Sequence, residues 1–259
     1  MPKISKRKNK DLRGLYNKAF KKGRDSFFTF KTDYITQEVL DHVAFKNKKV
    51  LEIGCGEGDT AAAIADRGGT VLAIDYAKEA INVAQAKHRH DNLEFRACEY
   101  KEVKGSFDII VLQEVLEHLD DPLSHLKKLK RKVRPGGKIV ITCPSFMNVR
   151  GYVWMTLQLL FNVPMSLSDI NFLSPFDFAA WAKEIDMRLR WHTFNFDLGN
   201  NKKMIHDLGE RNRLKNALRD AKMKGDYKKL LAWLKKVSAY DHTLPHSGAK
   251  GLYILAKKR

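Results

Sequence analysis

Three short segments hold residue types that do chemistry together. Val50 to Gly58 reads V-L-E-I-G-C-G-E-G, Asp75 stands shortly after it, and Glu114 to His118 reads E-V-L-E-H. Glycine at positions 54, 56 and 58 lets a backbone turn sharply and approach a ligand where any side chain would block it. An acid at the carboxyl end of the following strand can accept hydrogen bonds from both hydroxyls of a ribose. Together these features describe a nucleotide-type pocket. The later segment places two acids beside a histidine, whose imidazole titrates near neutrality and suits a general base.

The elements that must position these residues follow from periodicity. Val50 to Ile53 is a short buried strand running into the glycines, and residues 59–65 (D-T-A-A-A-I-A) have helical spacing that stops at Gly68-Gly69. Thr70 to Ile74 is a second buried strand, so Asp75 falls at its carboxyl end, the edge at which open parallel sheets bind ligands. The order of strand, glycines, helix, strand and acid is more specific than a lone G-x-G-x-G.

The chain resembles the class I S-adenosylmethionine-dependent methyltransferases, whose first motif, E/D-x-G-x-G-x-G, matches Glu52 to Gly58. The resemblance continues through residues 92–99 as a third strand, 107–113 as a fourth, and 134–141 as a turn and fifth strand, covering about residues 48 to 145. It implies S-adenosyl-L-methionine as cofactor, with Glu52 organising the glycine loop and Gly54, Cys55, Gly56, Gly58, Asp75, Tyr76, Glu99 and Gln113 at the cofactor. Cys98 stands where the family often has glycine. The E-V-L-E-H segment is similar to the quinone-biosynthesis-type O-methyltransferase branch and to small-RNA 2'-O-methyltransferases. In the RNA branch those acids and the histidine bind a divalent metal with a further histidine. Here residues 166–175 contain none, with Asn171 and Leu173 in that region, so no metal site is expected. Glu117 and His118 are the catalytic candidates, with His118 either the general base or, with Glu117, an orienting element for the helix over 121–132.

Composition bounds the rest. A chain of 259 residues with 44% hydrophobic content suits one α/β domain with additions. Cys55, Cys98 and Cys143 form no C-x-x-C pair, which reads as reduced cytoplasmic protein without disulfide or zinc framework. The N-terminus is basic without the apolar stretch of a secretory signal. Tyr152 to Met165, the longest apolar segment, is interrupted by Gln158, Asn162 and Pro164 and falls short of the ~20 residues of a membrane span.

The net charge of +18 is concentrated at the two ends. Residues 1–25 carry ten Lys/Arg against two acids and residues 201–259 sixteen against five, leaving the middle near neutral. Such ends suit a phosphate-rich partner, RNA or an anionic surface, and suit plain solvation equally.

The expected architecture is a Rossmann-like seven-stranded, mostly parallel sheet with helices on both faces. Residues 1–46 form a basic helical extension and 47–259 the methyltransferase domain. Within it lie a lid after strand five (145–173) and a basic helical insert between strands six and seven (200–247). The lid carries Asn148, Arg150, Trp154 and Met155 as acceptor-side or capping candidates, and the insert repeats apolar residues at helical spacing on either side of Gly225. The expected activity is methyl transfer to oxygen of a small or lipid-like acceptor, because the E-V-L-E-H resemblance points that way. RNA methylation through the basic ends is the alternative, and a cofactor-binding interaction protein without catalysis the third reading.

Overall fold

A computed structural model of the protein describes residues 9–22, 33–163, 169–194, 205, 208–209, 213–238 and 248–258. Within these, the chain divides into two compact units: a core unit (9–143, 175–191, 252–258) and a helical unit (144–174, 192–251).

The sheet has seven strands in the order β3-β2-β1-β4-β5-β7-β6. They are β1 (Lys49–Ile53), β2 (Thr70–Asp75), β3 (Leu93–Ala97), β4 (Phe107–Gln113), β5 (Val133–Pro144), β6 (Met187–Phe194) and β7 (Lys250–Lys257). β1 lies between β2 and β4, parallel to both, with Glu52 opposite Ala73 on one side and Val111 on the other. Val50 and Leu51 of β1 and Ile109 to Leu112 of β4 are buried, the pattern of strands covered on both faces. The chain proceeds outward from β1 through β2 and β3, then returns to β4 on the other side. That reversal is the topological switch point, and the carboxyl ends of β1 and β4 frame its crevice.

The helices of the core unit include α1 (Asn9–Lys22), α2 (Asp33–His42), α3 (Asp59–Asp66), α4 (Lys78–Lys87), α5 (Pro122–Lys132) and α7 (Pro175–Glu184). Their ends follow local chemistry. Asp121 caps α5 by accepting from the Ser124 N–H at 3.1 Å, with Pro122 in the first turn. α3 is left through Gly68, whose φ of +77° a side chain would strain.

One local expectation changes. Residues 134–137 have the sequence of a free turn, yet β5 begins at Val133 and carries them inside the strand. Phe107 pairs with Val133, and the register then jumps so that Ile109 pairs with Lys138. The four residues are a bulge held at Asp108, which accepts from Arg134 at 3.1 Å and from the Lys49 N–H at 2.8 Å.

The helical unit contains α6 (Val149–Phe161) and two helices of the insert, labelled α8 (Arg213–Asp220) and α9 (Tyr227–Ser238). Phe146, Trp154, Val163, Phe172, Leu208, Leu214, Ala217 and Leu234 form its core. Asn148 starts α6: its Oδ1 accepts from the Gly151 N–H at 2.8 Å, and its Nδ2 donates to the carbonyls of Ser145 and Gly248. Asn148 thus serves as a cap and a cross-link, and the Arg150 side chain lies outside the described atoms, as do Arg211 and the side chain of Arg213. Among the described residues, no helix is long and apolar enough to cross a membrane.

Candidate functional site

The glycine loop is held by positive dihedrals at all three glycines and, at Gly54 and Gly58, by neighbours that leave no space for a side chain. Gly54, Gly56 and Gly58 have φ of +73°, +54° and +83°. A Cβ on Gly54 would lie 2.5 Å from Val115 Cγ2, and one on Gly58 would lie 2.5 Å from the Phe95 ring. The Gly54 and Cys55 N–H groups both donate to the Ile74 carbonyl, at 2.8 and 3.1 Å, which ties the loop to the end of β2.

Asp75 is 8% exposed and braces the same loop. Its Oδ2 accepts from the Gly56 N–H at 3.1 Å and its Oδ1 from the Ala77 N–H at 2.8 Å. Burial raises its carboxyl above the ordinary range, and those backbone donors pull it back down. Each oxygen retains a second lone pair, so the acid can support the loop and accept from a ligand hydroxyl together. Next to it, burial pushes the Tyr76 phenol up, and Cys55 has a buried thiol whose pKa burial raises well above normal.

Glu52 lies one residue inside the edge, 2% exposed. Burial first, and then the nearby Asp75 charge, lifts its carboxyl to about 8. Its Oε2 is buried with no hydrogen-bond partner among the described residues, and so is Gln113 Oε1 at the end of β4. Gln113 Nε2 donates to Thr36 Oγ1 at 3.4 Å, and Thr36 shares a 2.7 Å hydrogen bond with Thr60 in the first turn of α3. Two orphaned acceptor oxygens at one sheet edge suit a ligand that brings cationic donors.

After β4 the chain bends through Glu114, whose φ of +57° is a strained value for a residue with a side chain. The Glu114 N–H donates to the Thr142 carbonyl at 3.0 Å, and the bend presses Val115 onto Gly54. Leu116–His118 then form one 3₁₀ turn, with Leu116 and Glu117 buried. His118 is partly buried, its Nε2 3.9 Å from Glu117 Oε1.

The glycines, Asp75, Tyr76, Gln113, Glu117 and His118 therefore meet along the ends of β1, β2 and β4. Glu99 is exposed two residues beyond β3, next to Cys98, whose N–H donates to the Asp75 carbonyl at 3.1 Å; the Glu99 N–H donates to Glu102 Oε1 at 2.8 Å and its carboxylate lies 3.8 Å from Lys101. Thr36 on α2 and Arg13, Tyr16 and Phe20 on α1 also lie against this edge, outside the residues that the sequence assigns to the site. The available signal was the stripe Leu12, Leu15, Tyr16, Ala19 and Phe20, which reads equally as an ordinary packing face.

The family described as "Methyltransferase domain" matches residues 51–141. The ubiquinone biosynthesis O-methyltransferase of Alkalilimnicola ehrlichii is 32% identical over 166 residues, 58% of this chain and 67% of that protein. Among solved structures, the methyltransferase bound to the Haloferax volcanii Trm112 methyltransferase activator superposes with a TM-score of 0.62 at 15% identity, covering 94% of this chain and 98% of that one. Haemonchus contortus phosphoethanolamine N-methyltransferase 2 in complex with S-adenosyl-L-methionine gives 0.55 at 16% identity, covering 87% and 53%. The glycine loop with no room for a Cβ at Gly54 or Gly58, the braced Asp75 and the orphaned Glu52 and Gln113 oxygens fit that cofactor's hydroxyls and ammonium. With the fold and the match across its motifs, the chain belongs to the class I S-adenosyl-L-methionine-dependent methyltransferases.

Proposed function

We propose that this protein methylates a hydroxyl of a small or lipid-like acceptor, with His118 as the base that takes the hydroxyl proton. The observation that carries the reading is the partly buried His118 beside buried Glu117 on the single turn after β4, at the edge where the glycine loop and Asp75 lie. The name carried by the Alkalilimnicola relative supports oxygen as the accepting atom.

In this reading the loop backbone, Asp75, Tyr76 and Glu99 hold the nucleoside, and Glu52 and Gln113 receive the ammonium end. When bound, S-adenosyl-L-methionine supplies a methyl group already activated on a positive sulfur, which leaves as a neutral thioether. His118 would take the proton from the acceptor hydroxyl as that oxygen becomes methylated. Glu117 steadies the imidazolium that results. Alignment of the two reactants by the site supplies on the order of 7–11 kcal/mol of the barrier.

The test is transfer of labelled methyl from S-adenosyl-L-methionine to fractionated small-molecule, lipid and RNA pools. Label in a small-molecule or lipid ether is expected, and label in RNA overturns the acceptor assignment. His118→Ala should lower turnover about 100-fold while S-adenosylhomocysteine affinity holds. Unchanged turnover removes His118 as base.

A further inference from the structure

One helix touches all three strand ends that build the site. Phe20 on α1 has its ring 3.6 Å from the point a Cβ on Gly56 would occupy, after β1. Tyr16 stands edge-on to Tyr76, after β2, with ring centroids 6.4 Å apart. The same Tyr16 ring is tilted beside His118, after β4, at 6.1 Å. The Arg13 guanidinium lies 5.9 Å from the Tyr76 centroid. Positions 13, 16 and 20 are spaced three and four apart, so they share a helix face. Leu12 and Ala19, both buried, seat that helix, which packs on α4.

We propose that α1 is the roof of the cofactor site and that Arg13, Tyr16 and Phe20 are part of it, with Tyr16 the positioning residue at its centre. The proposal rests on the site reading given above. Tyr16 stands between the residue assigned to the nucleoside side, Tyr76, and the residue assigned to the acceptor side, His118. Its ring therefore covers the stretch over which the methyl group must pass, and it keeps water from that stretch. Gly14, Lys18 and Lys21 face solvent, so α1 is held to the site by one face only. Cofactor exchange then requires this face to lift, which slows uptake and release alike.

The experiment is stopped-flow binding of S-adenosylhomocysteine to the full chain. In Tyr16→Ala both association and dissociation rates should rise about tenfold while the equilibrium constant moves by less than about threefold, because a gate changes rates more than affinity. Tyr16→Phe keeps the ring and should return both rates to within about threefold of the parent. Unchanged rates in Tyr16→Ala overturn the roof, as does faster dissociation with unaltered association, which marks a simple ligand contact. If Tyr16→Ala does not fold, Arg13→Ala decides, since it alters an exposed side chain: both rates should rise about threefold, and unaltered rates overturn the roof. A parent chain that binds no S-adenosylhomocysteine fails the cofactor-site reading itself, a result distinct from binding with unchanged exchange.

Discussion

The carboxyl edge of the sheet and the helical unit are built on opposite principles. At the edge, residue identity follows from the backbone: three glycines have positive φ, Gly54 and Gly58 leave only 2.5 Å between a would-be Cβ and the nearest side chain, and Asp75 is held by two N–H groups. In the helical unit, identity follows from side-chain volume: Phe146 stacks on Phe172 at 4.4 Å, and Trp154 and Leu234 are buried between helices. Outside that core the unit exposes Tyr152, Leu159 and Leu160 on α6 and Trp233 on α9, and Lys215, Lys228, Lys229, Lys235 and Lys236 face solvent. Backbone requirements admit few residue types and leave a readable motif, whereas packing admits many.

Leu234→Ala should break the contrast on its packed side. Removing a fully buried leucine costs about 3 kcal/mol, and hydrogen exchange should quicken in α6, α8 and α9 while β1 and β4 keep their protection. Gly58→Ala should break the backbone side, weakening S-adenosylhomocysteine about 100-fold by calorimetry, because the new methyl must displace Phe95 at a strained φ.

A pH series sharpens the comparison. With its carboxyl lifted from 4.5 to about 8, Glu52 is protonated in the free protein at pH 6, and a bound ammonium favours the ionised form. Ligand affinity should therefore rise with pH, by at most about tenfold per unit, and level off near 8, with proton release on binding. Glu52→Gln should flatten the slope. The same shift acts on folding in the opposite sense: the protonated native carboxyl contributes stability that is complete below pH 4.5 and is lost as pH rises through about 8. The smallest effect belongs to the helical surface, where Lys235→Ala with Lys236→Ala should change unfolding free energy by under about 0.5 kcal/mol.

Much of the edge was legible. The loop, Asp75 and the strand after it needed only local periodicity and glycine spacing, and the helices α5 and α7 announced their starts through Asp121-Pro122 and Ser174-Pro175. The bulge at 134–137 was less legible, because its cause is Asp108 on a neighbouring strand. Thr36 was invisible for the same reason: its partners Thr60 and Gln113 are 24 and 77 residues away.

By itself, the sequence determined the strand and helix pattern, the glycine loop and the acids at its margins, because each depends on dihedrals and spacings within a few residues. Only the tertiary structure decided that Asp75 braces the loop, that Glu52 is buried deeply enough to hold its proton near neutrality, and that α1 brings Tyr16 to His118. Those properties arise from burial and from contacts between distant segments, and no local spacing encodes either.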